Sequence, residues 1–370
     1  MALICGIFLT LVYEFGTPTL LAKLGANPML RAQATSYIQW RGIVAWAALA
    51  QTVCLSCLLV TRDSLTPLKI VALAATVNIL GDALFCVWPL RLGCAGAAAA
   101  TAISTVLSCG LMLRALSKKQ MLPKLKLPTL PELQALLQFT GPLMAITLTR
   151  IGGFFAMQKR AAKLGVAAAT ANAAGSGMKH SSLAGYQLCV HIMMFFLLFG
   201  EPLSQLSQTK LPTLVDDNNG PAVRKTLQSA MSIAGSTALV VASVAFLVAK
   251  FGSQLISTDP AVQAIAQSTA PVLFVTIATA IVSVAFDGAQ IAAKDFGYML
   301  VAGFATFVLQ LKLLPHCTRI DQIFATFALR MGLYAALSLV RAALGFGGIG
   351  RVIRKKNAKG EGSEADAVSL

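Results

Sequence analysis

The sequence predicts an all-α polytopic membrane protein, and three observations indicate it. Of the 370 residues, 56% are hydrophobic and only 12% are charged, whereas a soluble domain carries about 25% charged residues. The mean hydropathy is +0.74. Apolar runs of about 20 residues, the length that crosses a bilayer as a helix, follow one another along most of the chain. These observations exclude an ordinary cytosolic enzyme, a disordered chain and a fibrous repeat.

Turn signals such as Asn27-Pro28 and Asp259-Pro260 separate these apolar runs. The first run has no basic n-region and no clear cleavage site, so we expect a span there and not a signal peptide. The ten predicted spans are 1–21, 38–60, 68–90, 93–113, 135–157, 183–207, 228–249, 264–292, 297–314 and 323–346.

The basic residues are unevenly distributed over the loops. One side of the predicted topology carries 16 lysines and arginines and the other carries 10. Because cytoplasmic loops are enriched in Lys and Arg, we expect the loop 114–131 and the tail 351–370 on the cytoplasmic or stromal face. The composition of the tail predicts disorder. The net charge of +16 does not indicate nucleic acid as a partner, because no basic stretch carries interleaved aromatic residues.

An internal repeat appears at an offset of 232 residues. Asn27-Pro28 corresponds to Asp259-Pro260, and Arg62-Asp63 corresponds to Lys294-Asp295. Parallel repeats of this kind are typical of the two halves of secondary transporters. The offset pairs the span 1–21 with the span 228–249, which two further spans precede. We therefore expect a twelve-span parent whose first two helices are missing from this chain.

The repeat predicts a two-lobe helical bundle. The predicted parts are an incomplete N-lobe of four spans at 1–113, an inter-lobe loop at 114–131, a C-lobe of six spans at 132–350 and the tail at 351–370.

Motifs for nucleotide binding or catalysis are absent from the sequence. It contains no G-x-x-x-x-G-K-[ST] loop and no H-E-x-x-H, and its three histidines are isolated. The eight cysteines lie mostly in apolar runs, as packing residues do. We therefore expect no enzyme activity, no cofactor and no nucleotide partner. The lipid bilayer and a small organic solute are the expected partners.

Charged side chains inside the predicted spans are the most informative residues. A charge at the bilayer centre costs at least ~2.5–3.5 kcal/mol, so such groups face the bundle interior or a water cavity. A desolvated carboxyl group favours its protonated form and can carry a proton; the alternative role is a helix cap or an interior hydrogen bond. Arg150 would neutralise one carboxylate or bind an anionic substrate. The four carboxylates are Glu14, Asp82, Glu201 and Asp287.

Several stretches resemble motifs of the multidrug and toxic compound extrusion (MATE) family. DSLTPL at 63–68 resembles the D-T-x-T-P-L that follows the family's fourth helix. NILGD at 78–82, with the glycine- and alanine-rich run at 93–101, resembles its N-x-x-x-D…G-x-x-G-A-A-x-A-T. LAGYQ at 183–187 resembles L-A-G/A-H-Q. FDG at 286–288 with the later D-F-x-Y resembles the DinF-like plant plastid branch. The resemblance covers about residues 1–346.

The chain also departs from the family pattern. Leu59-Val60 replaces the arginine-glycine pair expected before Asp63. With the first two helices we expect an acidic first-helix residue to be missing as well; Asp82 matches the aspartate that partners it. Glu201 falls where the plastid branch has an aspartate in its eighth helix.

The resemblance implies a secondary active antiporter. It would export organic solutes (xenobiotics, phenolics or organic anions) in exchange for protons or sodium. The implied membrane is the plastid envelope, with the plasma membrane or vacuole as alternatives. The residues expected at the coupling sites and the substrate cavity are Asp82, Asp287, Glu201, Asn78, Arg150 and Gln187.

Two alternatives remain open from the sequence. The chain could be an inactive or partner-dependent truncated fragment, and then, expressed from Met1, it would show little gradient-driven export. It could also be a lipid-linked flippase of the same superfamily, whose cavity we would expect to carry more arginines than Arg150 alone.

Overall fold

The structure is a computed structural model, and it is built of helices. It describes residues 2–23, 28–61, 63, 65–87, 89–122, 129–171, 176–217, 219–348 and 350–352, and no strand occurs among them. Nearly all of the predicted tail 351–370 lies outside these residues. The α-helices are α1 (Ala2–Lys23), α2 (Pro28–Ile43), α3 (Ala45–Val60), α4 (Leu65–Asp82), α5 (Cys94–Lys118), α6 (Leu130–Ala171), α7 (Ser176–Leu197), α8 (Glu201–Asp216), α9 (Gly220–Lys250), α10 (Ser253–Ile256), α11 (Pro260–Ala292), α12 (Phe296–Leu313) and α13 (Ile320–Ala343).

The predicted multi-pass helical fold is confirmed, although the number of apolar helices differs. Eight helices of the described part are long and apolar enough to cross a membrane, or nine if one bent pair counts as a span, against ten predicted. The bent pair is Arg31–Ile43 with Ala45–Leu59, which meet at 48°. The predicted span 135–157 lies inside α6, which is not among the eight. Arg150 and several threonines and glycines lower the mean hydropathy of that stretch.

The chain forms two compact units, Met1–Leu133 and Gln134–Leu370. The predicted loop 114–131 is shorter than expected at both ends, because α5 continues to Lys118 and α6 begins at Leu130. Residues 123–128 of that loop lie outside the described part.

In the first unit, small residues allow close helix packing. α1 packs on α2 and α3, and α5 packs on α2, α3 and α4. A Cβ placed on Gly6 would lie 2.8 Å from the Cβ of Trp46, so only glycine permits this approach of α1 to α3. Membrane helices associate through such small residues because lipid offers no hydrophobic drive between them.

The second unit is organised around α11, which packs against α7, α8, α9 and α13. The face of α9 that is buried in this unit is a row of alanines spaced three or four residues apart, as a single helical face requires. This row lets the backbones of α9 and its neighbours approach closely. Its members are Ala230, Ala234, Ala238, Ala242, Ala245 and Ala249, all buried.

Candidate functional site

Asp287 is buried deep in the second unit, with 3% of its surface exposed. The adjacent Gly288 is needed for local packing: a Cβ there would lie 2.7 Å from the Cα of Ser204 in α8. Gly288 therefore lets the backbone of α11 lie close against α8, next to the buried carboxylate.

Two helices supply the partners of this carboxylate. Arg150 of α6 forms an ion pair with Oδ2 of Asp287 through its Nη2 atom. Tyr334 of α13 donates a hydrogen bond to Oδ1 of Asp287 at 2.8 Å. The same hydroxyl oxygen lies 2.8 Å from Oε1 of Gln290, one turn further along α11. A charged group at this depth requires such partners, because an isolated buried charge is strongly destabilising.

A second arginine lies beside the first. Arg330 precedes Tyr334 by one turn of α13 and is 3% exposed. Its Nη1 atom donates to Oε1 of Gln310 at 2.9 Å, and its guanidinium lies 5.3 Å from the centre of the Phe307 ring. A Cβ on Gly153 would lie 2.9 Å from Oε1 of Gln310 and closer still to Arg330, so this glycine of α6 makes room for the pair.

Two guanidinium groups therefore line one cavity, and they differ in their partners. Arg150 pairs with Asp287, whereas no carboxylate in the described part of the chain forms an ion pair with Arg330. A cavity of about 10 Å³ lies between Arg150, Arg330 and Tyr334, and Thr149, Ser283 and Thr306 are in its wall. That volume is about the space that one water needs.

Arg330, Tyr334 and Gln290 were not predicted as site residues. Arg330 lines the same small cavity as Arg150. Arg330 could have been found from the sequence, because it is an arginine inside an apolar stretch, and a charge in such a stretch is costly unless it has a function. Its spacing of four from Tyr334 puts both on one face of α13.

Two predicted residues of the second unit lie apart from this cluster. Glu201 is the first residue of α8 and is exposed; its charge still acts on Arg150. Gln187 is half-buried on α7, and its carbonyl oxygen lies 2.7 Å from Nδ1 of His191.

The remaining predicted residues belong to the first unit. Asn78 and Asp82 lie one turn apart on α4, and a π-helical turn, Ala83–Val87, follows directly. Oδ1 of Asn78 and Oδ1 of Asp82 are buried and have no hydrogen-bond partner in the described part, and the same holds for Oε1 of Glu14. The structure thus places the predicted site residues in two separate sets, one in each unit.

Each unit also carries an ion pair at a position related by the repeat. Asp63, just before α4, pairs with Lys119 at 2.5 Å, and Asp295, just before α12, pairs with Arg341 at 2.9 Å. The two aspartates differ by the offset of 232. Each basic partner lies at the C-terminal end of the second helix after its aspartate, Lys119 at the end of α5 and Arg341 in the last turn of α13. The hydrogen bond from Lys119 holds the pKa of Asp63 well below its usual range.

Solved structures decide the fold. An outward-facing multidrug resistance MATE family transporter of the MOP superfamily matches with a TM-score of 0.79 and 16% identity, over 96% of this chain and 77% of that one. The chain has the MATE fold. A MATE transporter of Vibrio cholerae in the bent form matches with a TM-score of 0.67 and 17% identity, over 96% and 78% of the two chains. A MOP superfamily transporter from Pyrococcus furiosus gives 0.75 and 18%, over 95% and 76%.

Sequence comparison gives plant relatives of the same kind, although no family model matches. The Arabidopsis thaliana protein DETOXIFICATION 47, chloroplastic, is 24% identical over 324 residues, which is 86% of this chain and 57% of that protein. DETOXIFICATION 44, chloroplastic, of the same plant is 27% identical over 262 residues, or 69% and 46% of the two chains. This chain thus spans about half the length of these relatives. The resemblance to MATE transporters is confirmed. The multi-pass membrane location is confirmed as well.

Proposed function

We propose that this MATE chain acts in secondary active export of an organic anion, energised by protons that bind to Asp287. The MATE fold supports a solute transporter of this kind. Among the xenobiotics, phenolics and organic anions that the sequence left open, the cluster around Asp287 favours anions.

The observation that carries this proposal is a buried guanidinium group, that of Arg330, which no carboxylate of the described residues pairs with and which shares a cavity with Arg150. Arg150 and Arg330 line the same cavity, and only Arg150 is paired with a carboxylate, that of Asp287. A guanidinium group presents planar donors that match the two oxygens of a carboxylate or sulfonate. An organic cation would be repelled by the same cluster.

The cluster suits a proton better than sodium as the coupling ion. Both oxygens of Asp287 already have partners, Arg150 and Tyr334. A hard metal cation prefers several oxygen ligands together, and the described residues contain no group of three His, Cys, Asp or Glu side chains arranged to hold a metal. A proton needs only one of the two oxygens.

We further propose the plastid envelope as the membrane. Two of the plant relatives carry the word chloroplastic in their names. The name of a third, DETOXIFICATION 42, carries no such word, although it is 23% identical over 350 residues. The plasma membrane and the vacuole stay the alternatives, and a fluorescent fusion located in plant cells would decide.

Ligand binding tests the substrate class. Purified chain in detergent would be titrated with 4-methylbenzenesulfonate, with its neutral sulfonamide analogue and with N-methylpyridinium, and binding measured by calorimetry. We expect the sulfonate to bind in preference. Arg330→Gln should weaken its binding about 10- to 100-fold, because a hydrogen bond to a charged group contributes about 1.5–3 kcal/mol. The matched control is Arg319→Gln, an exposed arginine of the turn before α13. Preferential binding of the cation would contradict the proposal.

Transport provides the second part of the test. In liposomes that contain the chain, a pH gradient should drive movement of the sulfonate but not of the neutral analogue. Binding without any transport would favour the alternative of an inactive or partner-dependent fragment.

A lipid-linked flippase is the second candidate function, because Arg330 supplies the additional arginine that such a cavity was expected to carry. A competition experiment separates the two functions. If a polyprenyl diphosphate displaces bound 4-methylbenzenesulfonate at a much lower concentration than a second simple sulfonate does, the flippase is favoured.

A further inference from the structure

We infer that the small cavity between Arg150 and Arg330 is a binding site for a single halide ion, such as chloride, which acts as the counter-ion of Arg330. This ion is a resident part of the second unit and is distinct from the organic solute. The inference does not rest on the proposed function, because it needs only the helix packing of the second unit.

The charge of Arg330 is the first step. This residue is 3% exposed, and an arginine keeps its charge in proteins. No carboxylate of the described residues forms an ion pair with it. Its contacts with Gln310 and with the ring of Phe307 are to neutral groups, and the charge of Arg150 acts on it repulsively. Because a buried charge without an opposite charge is strongly destabilising, this guanidinium calls for an anion.

The wall of the cavity supplies donors for that anion. Ser283 lines the cavity and is 0% exposed, and its hydroxyl has no hydrogen-bond partner in the part of the chain that the structure describes. The hydroxyls of Thr149 and Thr306 donate to carbonyl oxygens of their own helices. A guanidinium group has five N–H donors, and Arg330 uses its Nη1 for Gln310. Further N–H groups of Arg330 and the hydroxyl of Ser283 can therefore donate to one ion.

The volume of the cavity favours a monatomic ion. It measures about 10 Å³, which is about the space that one water needs. A halide is a single sphere only slightly larger than a water, whereas carboxylate, sulfonate and phosphate groups contain several heavy atoms. Because protein interiors are close-packed, these larger groups would enter only if the helices separated. A water fits the same space but brings no opposite charge to Arg330.

The neighbouring ion pair is compatible with a bound halide. Arg150 directs Nη2 to Asp287, and the remaining N–H groups of its planar guanidinium are available on other edges. Tyr334 completes the partners of Asp287 from α13. A halide between the two arginines therefore leaves the partners of Asp287 in place and reduces the repulsion between the guanidinium groups.

The test measures chloride binding to the full chain in a neutral detergent, without any organic sulfonate. Chloride is titrated at constant ionic strength against sodium phosphate, whose anion is too large for the cavity. The line width of the chlorine-35 NMR signal reports the exchange of chloride with sites on the protein. We expect a saturable broadening that bromide removes by competition. In crystals grown with bromide, the anomalous signal should place one ion between Arg150 and Arg330.

Two variants with matched controls assign the binding to this cavity. Arg330→Gln should abolish the saturable broadening, whereas Arg319→Gln, which changes an exposed arginine paired with Asp321, should keep it. Ser283→Ala should raise the dissociation constant of chloride about 10- to 100-fold, because it removes a hydrogen bond to a charged group. Its control is Ser338→Ala: that hydroxyl is also buried without a partner among the described residues, but it lines a different cavity.

The outcomes separate this inference from the proposed function. Absence of saturable broadening in the original chain, or equal broadening in Arg330→Gln, would overturn the inference. If Arg330→Gln does not fold, Ser283→Ala decides: a weaker affinity than that of Ser338→Ala supports the inference, and an equal affinity overturns it. Chloride binding in a chain that fails to bind 4-methylbenzenesulfonate would overturn the proposed function and leave the halide site standing.

Discussion

Replacing Gly288 by alanine tests whether α11 is held against α8 as closely as the structure shows. The new Cβ would lie 2.7 Å from the Cα of Ser204, whereas carbon atoms in good contact are about 3.5–4.0 Å apart. The atoms in the way belong to backbone, so α8 and α11 must separate by about 1 Å. Overpacking of this kind costs typically about 1–3 kcal/mol. Alanine recovers about 1 kcal/mol of helix propensity. We expect a net loss of stability of up to about 2 kcal/mol.

A second glycine provides the control of opposite sign. Gly235 lies in α9 with no atom within 4 Å of an added Cβ, so Gly235→Ala should stabilise by up to about 1 kcal/mol. Thermal unfolding in detergent can be followed with a thiol-reactive dye, because Cys189 is 0% and Cys317 is 5% exposed. A melting temperature for Gly288→Ala as high as that of Gly235→Ala would refute the close approach of α8 and α11.

Three further predictions concern other parts of the chain. Tyr334→Phe should destabilise the second unit by about 1–3 kcal/mol, because it leaves buried acceptors at Asp287 without their donor; an unchanged thermal unfolding curve would contradict this. Because the pKa of Asp63 is lowered by Lys119, the stability that this pair contributes is complete above about pH 4 and is lost only as pH falls through the lowered value. Lys119→Met should raise the titration midpoint of Asp63 in a carbon-13 NMR experiment, and an unmoved midpoint would argue against the pairing. Cysteines placed at Met121 and in the tail should label from the same side of sealed vesicles, and labelling from opposite sides would reject the predicted topology.

The sequence was sufficient for the helical membrane fold because long apolar runs in a chain with few charges have few other ways to satisfy their backbone. It did not predict the breaks inside these runs. The breaks are the bend between α2 and α3 at Val44 and the 3₁₀ turn Leu198–Gly200 between α7 and α8. No Pro marks the bend at Val44, whereas Gly200 and Pro202 mark the second break in the sequence, a turn signal that the predicted span 183–207 passed over.

The site was predicted in part, for a similar reason. Asp287 and Arg150 could be found because each charge is conspicuous inside an apolar stretch. Their pairing could not be found, because α6 and α11 are 137 residues apart at these positions. Tyr334 and Gln290 carry no charge, so only the distances in the folded unit connect them with Asp287. The roles of Asp82, Asn78, Glu201 and Gln187 stay predictions.

The paired aspartates at the offset of 232 also give a view of how the two halves diverged. Asp63 and Asp295 each form an ion pair next to the start of a helix, although their basic partners, Lys119 and Arg341, are not equivalent at this offset. The cluster around Asp287 has no such twin. The residues of the first half that correspond to Asp287, Gln290, Arg330 and Tyr334 are Leu55, Leu58, Ala98 and Ala102. Three of these four apolar residues are buried. The two halves thus both have an ion-paired aspartate at equivalent positions, whereas the charged and polar residues around Asp287 occur in the second half only. At the four equivalent positions of the first half, selection should tolerate any apolar residue that packs well and no charged residue.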